Sequence, residues 1–263
     1  MRSAELLVVG AGPFGLALAA EGAHQGIDHV VVGRPMSFWK ERMPAGMLLR
    51  SASDWHLDVR GEATLEAFLA TRGLTTEEAE PLTRDRYVDY GAWFAQTAGV
   101  VPVPRHVEVL DADGDLFAAT LDDGSQVRAR SVVLALGMDQ HRRLPAELLD
   151  LLPEGSWRHT CDAVDLTGAA GRRYLLVGGR QSAFEWAALL TAAGAASVDV
   201  VHRHDSPAFA PAHWGWVTGV VDRMAAEPGC RPTGSGSGRA RPSSRATAPA
   251  TGRSRSRSTT GRP

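Results

Sequence analysis

The sequence predicts an α/β fold, and two similar stretches of the chain carry this prediction. In residues 5–34, a short apolar run precedes a glycine-rich turn, a segment rich in Leu and Ala, and a second apolar run. Residues 174–202 repeat this order. A strand–turn–helix–strand unit that occurs twice in one chain is more informative than either copy alone. It predicts parallel strands with helices packed against them.

The first unit begins with a continuous apolar run at residues 6–9. Both faces of such a run require burial, which is typical of an inner strand of a parallel sheet. The sequence GAGPFG at residues 10–15 follows, and then a predicted helix at 16–23 and a predicted strand at 29–32. This is the context that the G-x-G-x-x-G fingerprint of dinucleotide-binding proteins requires.

Each position of this turn has a physical role in the predicted site. Gly10 allows the tight turn, Gly12 lets the backbone approach a pyrophosphate, and Gly15 lets helix and strand pack closely. The phosphates would bind free N–H groups at the positive end of the helix. We therefore predict a cofactor-binding site at the following residues: Gly10, Gly12, Pro13, Phe14 and Gly15.

The end of the second strand departs from the fingerprint. An acidic residue is expected there to bond the ribose hydroxyls, but the chain has Gly33 and Arg34. Arg34 is expected to hold a phosphate or the adenine face instead. The alternative is that GAGPFG is a glycine-rich turn in another kind of α/β domain.

Charge is divided unevenly along the 263 residues, which suffice for two small domains or one large one. Residues 228–263 contain eight Arg and neither Asp nor Glu. Since the chain has 28 basic and 30 acidic residues, residues 1–227 hold 20 and 30, a net charge of −10. An acidic body therefore precedes a basic tail.

Cysteine usage and hydropathy predict a cytoplasmic protein. Cys161 and Cys230 form no C-x-x-C pair, which is typical of a reduced compartment. The first predicted strand starts within five residues, so no signal peptide is expected. No apolar run approaches the roughly 20 residues that span a bilayer. We predict neither a membrane span nor a metal site.

The middle of the chain predicts a loop-rich segment, two helices and several strands. Residues 36–58 scatter aromatic and Met residues among charged ones, without a clear period. Helices are predicted at 64–71 and 87–98, and an antiparallel meander at 107–110, 116–121 and 126–129. Residues 131–136 form another continuous apolar run, closed by Gly137, and predict a separate strand.

The second unit has a degenerate fingerprint. A third buried strand is predicted at 174–177, a helix at 182–193 and a strand at 197–202. Arg180 occupies the middle glycine position, where it could reach a phosphate, and Ala183 occupies the last. The alternative is that this unit binds no nucleotide. The predicted nucleotide contacts are Gly178, Gly179, Arg180, Gln181, Ser182 and Ala183.

This order of motifs resembles flavoproteins with two dinucleotide-binding domains, and within them flavin-dependent monooxygenases. The resemblance covers residues 4–227 and implies the FAD/NAD(P)-binding three-layer (β-β-α) Rossmann-like fold. It implies FAD in a domain at 1–138 and NAD(P)H in a partial domain at 139–227. The segment 132–137 resembles the family's A-T-G segment near the flavin, with Leu136 replacing Thr and Gly137 retained.

Three further positions carry partial matches. Gly155 and His159 resemble the core of the monooxygenase linker motif F-x-G-x-x-x-H, with Pro153 replacing Phe. The resemblance implies that His159 contacts the nicotinamide nucleotide or steers domain movement, and the alternative is a surface linker residue. Trp39 falls where such proteins place an aromatic close to FAD. Trp39 and Arg50 are expected near the flavin, although a purely structural role is equally open.

The resemblance also implies the chemistry. Hydride would pass from NADPH to FAD, and electrons would pass on to O₂, a quinone or a protein. The chain lacks the redox Cys pair of disulfide reductases, which disfavours that branch. Arg203 follows the last predicted strand, where a 2′-phosphate is met, and favours NADPH over NADH. The alternative is that residues 202–204 are a solvated strand end.

The sequence indicates no particular small-molecule substrate, oligomeric state, or catalytic acid, base or nucleophile. The aromatic segment at 213–216 is one candidate lining of a substrate pocket.

The tail has a composition of its own. Residues 231–263 contain only Arg, Pro, Thr, Gly, Ser and Ala, so we predict a disordered basic tail at 228–263. The resembling proteins return to the FAD domain after the nucleotide domain, and such a return is missing here. We hypothesise a frameshift near codon 228, since these residues have G/C-rich codons. Two other functions stay open: a truncated, inactive dinucleotide-binding fragment, or a basic-tailed polyanion-binding protein, although nucleic acid is not the expected partner.

Overall fold

The computed structural model describes residues 2–49 and 55–203. Several sequence predictions lie outside these residues: Arg50, residue 204, the aromatic segment at 213–216, Cys230, and the basic tail at 228–263. The domain boundaries after residues 138 and 227 stay predictions.

Seven strands and seven α-helices form the described part of the chain. In chain order they are β1 (Arg2–Val9), α1 (Pro13–His24), β2 (His29–Val32), α2 (Ser37–Glu41), α3 (Leu65–Ala70), α4 (Thr76–Ala79), α5 (Arg84–Thr97), β3 (Val107–Asp113), β4 (Leu116–Leu121), β5 (Gln126–Leu134), α6 (Ala146–Leu149), β6 (Arg173–Val177), α7 (Gln181–Ala192) and β7 (Ser197–Val201). No helix among the described residues is both long and apolar enough to cross a bilayer.

Strand β1 is an inner strand of a five-stranded sheet of order β2-β1-β5-β4-β3. It pairs in parallel with β2 on one side and with β5 on the other. Leu7 and Val8 of β1 are completely buried. This confirms the predicted inner strand and the first strand–turn–helix–strand unit.

The two faces of β1 and β2 belong to different layers. Val8 and Val31 pack into a core with buried residues of α1, α3 and α5, such as Leu16, Phe68 and Tyr90. Leu7, Val9, Val30 and Val32 pack into a second core with residues of the meander: Ala119, Leu121, Val127 and Ala129. Helices therefore cover one face and the meander covers the other, which is the predicted β-β-α arrangement.

The meander is confirmed, since β3 pairs antiparallel with β4 and β4 with β5. The prediction of separate strands at 126–129 and 131–136 is wrong, because β5 runs without a break from Gln126 to Leu134. The long β1 supplies partners along the whole length of β5, from Val127 to Leu134. By contrast, β4 pairs only with residues 126–129 of β5. Within the described residues, the outer edge of 131–134 has no neighbouring strand, and Val133 and Leu134 are exposed.

Threonine caps set the starts of the helices that follow the first unit. The side chain of Thr64 caps α3, and that of Thr83 accepts a hydrogen bond from the Arg86 N–H. As a result α5 begins at Arg84 rather than at residue 87. The sequence prediction missed α4, which begins with a capping box formed by Thr75 and Glu78.

The second unit forms a separate two-stranded sheet. Strands β6 and β7 are parallel, and α7 connects them as predicted. The prediction that β6 is a buried strand is wrong, because Leu175 and Val177 are each 62% exposed. Helix α7 packs on one face of the sheet, through Trp186 and Leu190, and no described element covers the other face.

Candidate dinucleotide-binding site

Backbone packing requires two glycines of the first turn. Gly10 has a φ of +111°, and a Cβ there would lie 2.2 Å from the carbonyl oxygen of Ala135. A Cβ at Gly15 would lie 1.9 Å from the carbonyl oxygen of Gly10. Backbone atoms cannot move aside as a flexible side chain can, so both positions require glycine. The turn therefore packs tightly between the start of α1 and the residue that follows β5.

Gly12 has no such packing reason to be glycine. Its φ is −77°, which any residue adopts, and a Cβ there would meet nothing within 4 Å. The open space lies at the first turn of α1, where a Cβ would block the approach of a ligand. The residues present therefore fit a pyrophosphate at this position.

The N-terminus of α1 supplies the matching electrostatics. Gly12 is its N-cap and has no side chain to accept a bond from the helix, and Pro13 follows at the first helical position. The first turn contains no acidic residue. Helix N-terminal N–H groups without side-chain partners carry partial positive charge and bind anions.

An apolar cleft adjoins this turn, between α1 and the chain after β5. Its volume is about 640 Å³, and its lining includes Phe14, Leu18, Leu136, Gly137 and His141. Phe14 is 81% exposed, although it belongs to the fingerprint. The cleft lies beyond the carboxyl ends of β1 and β5, where the strand order reverses direction. Ligands of open α/β sheets bind at such switch points.

The end of β2 carries a charge pair that the sequence prediction missed. Arg34 forms an ion pair with Glu41 of α2, with 2.8 Å between Nη2 and Oε2. Gly33 packs directly against the glycine-rich turn at residues 10–15, since a Cβ at Gly33 would lie 2.5 Å from the Ala11 nitrogen. Glu41 thus brings a carboxylate near the end of β2, where the fingerprint lacks its acid. It follows Gly33 by eight residues, which is too far for the simple fingerprint to indicate it.

Trp39 lies against α5. Its ring is 4.9 Å from that of Tyr87, in an edge-to-face arrangement, and burial raises the pKa of Tyr87 to about 12. Arg84 holds the end of α2, because its Nη1 donates to the carbonyl oxygens of Trp39 (3.3 Å) and Met43 (2.9 Å). These contacts account for a structural role of Trp39, and its approach to a flavin stays a prediction.

The second turn packs more loosely than the first. A Cβ at Gly178 would be 3.5 Å from the Cβ of Ala183, an ordinary contact. Gly179 lies in the turn, and Arg180 is the exposed N-cap of α7 without a side-chain cap bond. Ser182 is also exposed, whereas the Gln181 side chain binds the carbonyl oxygen of Leu48, 3.1 Å away. The N-terminus of α7 is thus open to an anion on one side.

Arg203 lies at the same edge of the second sheet as this turn. It follows the carboxyl end of β7 and is exposed. The neighbouring His202 ring lies 6.0 Å from the ring of Phe184 in α7. This location agrees with either open interpretation of residues 202–203, a phosphate contact or a solvated strand end.

His159 lies in the linker between the two sheets, where it has a structural contact with Cys161. The His159 Nδ1 accepts a hydrogen bond from the Cys161 N–H (3.2 Å) and caps a short 3₁₀ turn. Burial, together with the carboxylates of Asp139 and Asp162, raises the pKa of the Cys161 thiol. A thiol in such surroundings is poorly suited to act as a nucleophile.

Comparison with known proteins identifies a family, several relatives and solved structures to which this chain is similar. The family model of pyridine nucleotide-disulphide oxidoreductases matches residues 7–220. An FAD-dependent urate hydroxylase from Xanthomonas campestris pv. campestris is 28% identical over 156 residues, which are 57% of this chain and 33% of that protein. An indole-3-pyruvate monooxygenase from Oryza sativa subsp. japonica is 30% identical over 187 residues, or 68% of this chain and 43% of that protein. The chain thus spans less than half of either relative.

A solved structure with the same fold is a flavin monooxygenase from Stenotrophomonas maltophilia. It superposes with a TM-score of 0.62 at 20% identity, covering 86% of this chain and 65% of that one. The family match includes both βαβ units, the cleft and the linker between them. The chain therefore belongs to the pyridine nucleotide-disulphide oxidoreductase family of FAD/NAD(P)-binding oxidoreductases.

Proposed function

We propose that the chain acts in an FAD- and NADPH-dependent oxidoreductase of monooxygenase type. The observation that carries the proposal is the open space at Gly12, because protein packing does not explain a glycine there. A second βαβ unit with its own glycine turn supports a second dinucleotide. When bound, FAD would accept hydride from NADPH and pass the electrons to O₂ and a small organic substrate.

The first unit would hold FAD along a line from β2 to the cleft. The N–H groups at the start of α1 would bind the pyrophosphate, and Gly12 would admit it. Arg34 and Glu41 would face the adenosine end, where one supplies a positive charge and the other a carboxylate. Phe14, Leu136 and Gly137 would exclude water from the flavin end of the site.

The second unit would bind NADPH at its turn. The start of α7 would receive the phosphates, with Arg180 as an additional positive charge. Arg203 would pair with the 2′-phosphate that distinguishes NADPH from NADH. Disulfide reduction is not proposed, because the only described cysteine, Cys161, has a raised pKa and no cysteine partner among the described residues.

Exposed apolar side chains favour a second candidate function. Leu175, Val177 and Val201 are more than half exposed on the open face of the second sheet. A chain with this open face could bind dinucleotides without catalysing hydride transfer. Anaerobic mixing of the FAD-loaded chain with NADPH separates the two candidates, because the proposed oxidoreductase bleaches the flavin absorbance and the binding-only chain does not.

The nucleotide preference is tested with Arg203→Ala and a matched control, Arg173→Ala. Arg173 is also an exposed arginine of this sheet, but it lies at the opposite end, at the start of β6. Loss of Arg203 should weaken NADPH binding about tenfold and leave NADH binding unchanged, since a hydrogen bond to a charged group contributes about 1.5–3 kcal/mol. Equal NADPH affinities for the two variants would contradict the assignment of Arg203.

A further inference from the structure

Residues 42–49 form a segment between the two βαβ units, which we name the interunit strap. One edge of the strap is fixed to the residues just before and at the start of α5. The Leu49 N–H donates to the Leu82 carbonyl (2.7 Å), and the Arg84 N–H donates to the Met47 carbonyl (2.8 Å). Leu48 therefore pairs antiparallel with Thr83, and its own N–H and C=O point away from that partner.

Two side chains of α7 bind the other edge of the strap. The Leu48 N–H donates to Glu185 Oε2 (3.3 Å), and Gln181 Nε2 donates to the Leu48 carbonyl (3.1 Å). Gln181 Nε2 also lies 2.5 Å from Glu185 Oε1, which fixes the two side chains to each other. Together they satisfy Leu48 as a neighbouring strand would.

The strap continues along the same side of α7. Gln181, Glu185 and Leu189 are spaced four residues apart and so share one face of the helix. A Cβ at Gly46 would lie 3.0 Å from Leu189 Cδ2, and Met47 belongs to the small core that contains Trp186 and Leu190. The strap thus covers α7 from its first residue to its last turn.

We infer that the interunit strap is a latch on the second dinucleotide site, which nucleotide binding opens by releasing Leu48 from Gln181 and Glu185. The inference rests on the proposed function, which places the NADPH phosphates at residues 178–183. Gln181 is the first residue of α7, so the strap occupies one side of the mouth of that site. Nucleotide that enters there competes with Leu48 for the same side chains and the same space.

The latch couples the second unit thermodynamically to the helical layer that packs on the first unit. Contacts made only in the closed state reduce the apparent affinity for any ligand that requires the open state. The same strap is hydrogen bonded to the residues that begin α5. Occupation of the second site therefore changes how the second unit is held against α5, which packs in the same core as α1.

The variant Leu48→Pro weakens the latch without altering α7, because it removes one of the two hydrogen bonds that hold Leu48 to that helix. Proline removes the N–H that donates to Glu185, whereas the hydrogen bonds of Leu49 and Arg84 do not involve that N–H. The matched control is Leu48→Ala, which retains the N–H and shortens only a partly exposed side chain. We expect Leu48→Pro to bind NADP⁺ about fivefold more tightly than the wild type, and Leu48→Ala to bind it equally, as titration calorimetry would measure.

Hydrogen exchange of the wild-type chain provides the second measurement, which does not depend on any variant folding. Saturating NADP⁺ should speed exchange of the Leu48 amide and leave the Leu49 amide unchanged, since Leu49 donates to the Leu82 carbonyl and not to α7. If NADP⁺ binds all three chains equally and Leu48 stays protected, the latch is wrong and the proposed function stands. If none of the three chains binds NADP⁺ while FAD still binds, the NADPH site itself is wrong and the latch with it.

Discussion

The two βαβ units share an element order but differ in what fixes their turns. In the first, added Cβ atoms at Gly10 and Gly15 would lie 2.2 and 1.9 Å from backbone oxygens. In the second, the corresponding contact of Gly178 with Ala183 is an ordinary 3.5 Å. Around the first turn, backbone atoms of the turn itself and of Ala135 leave no room for a side chain. The start of the second helix is instead held by the side chains of Gln181 and Glu185, which bind Leu48 of the strap. The first turn is therefore fixed by backbone packing, and we expect the second turn to be more adjustable.

The two units also differ in burial of similar apolar strands. Leu7 of β1 is completely buried between a helical layer and the meander, whereas Leu175 of β6 is 62% exposed. Both strands have continuous apolar sequences. This comparison shows that an apolar run predicts a strand. How much of that strand is buried depends on the number of layers that cover the sheet.

The largest expected difference between the units concerns the last glycine of each fingerprint. Gly15→Ala places a Cβ against the Gly10 carbonyl and should destabilise the chain by at least about 3 kcal/mol, since overpacking against backbone finds no relief. The matched change in the second unit, Ala183→Gly, should cost only about 1 kcal/mol of helix propensity. Urea unfolding followed by circular dichroism measures both, and similar losses would contradict the contrast between the two turns.

The next effect compares the two apolar strands. Leu7→Ala should lower the free energy of unfolding by about 3 kcal/mol, because it leaves a cavity in a closed core. Leu175→Ala should change it by less than about 1 kcal/mol, because the side chain is largely exposed. A large loss in Leu175→Ala would mean that the open face of the second sheet is covered in solution.

A smaller effect concerns a buried carboxylate of the first region. Asp58 is 8% exposed, and it accepts hydrogen bonds from the N–H groups of Arg60 (3.0 Å), Glu62 (2.9 Å) and Ala63 (2.6 Å). Burial raises the pKa of Asp58, but these N–H donors outweigh it, so the pKa lies below its ordinary value. Its stabilisation is therefore present above pH of about 4 and is lost as the pH falls through the lower pKa of the folded state.

Asp58→Asn should cost about 2 kcal/mol at pH 7, and the cost should shrink as the pH falls through the lowered pKa of Asp58 in the folded state. Asp115→Asn, at an exposed turn, is the control and should have little effect at either pH. Thermal unfolding across this pH range measures the difference. A cost that does not change with pH would show that the charge of Asp58 is not what the three N–H groups bind.

Local patterns predicted the first unit closely and long-range contacts poorly. The bounds of β2 agree with the sequence, since apolar β-branched residues and turn signals act over a few positions. The Thr75–Glu78 capping box was visible in the sequence and could have indicated α4. No local signal, however, could indicate that β1 would pair along all of β5 or that the second sheet would have an open face.

The candidate site shows the same contrast between local patterns, which the sequence reveals, and long-range contacts, which it does not. The glycine pattern predicted Gly10, Gly12 and Gly15, and the structure adds that Ala135 is what forces Gly10 to be glycine. Glu41 and the strap were missed, because their contacts depend on folding that joins residues far apart. The partners Leu48 and Gln181, for example, are separated by 133 residues.

The most direct test of the central claim is FAD titration of the wild-type chain beside Gly12→Ala, followed by visible absorbance. The two chains should have the same unfolding free energy within about 1 kcal/mol, because a Cβ at residue 12 meets no protein atom and only the N-cap preference of α1 changes. The wild type should bind one FAD per chain, and Gly12→Ala should bind it about tenfold more weakly or not at all. A wild type that binds no FAD, or equal binding by both chains, would contradict the claim that Gly12 is a glycine for the sake of a dinucleotide.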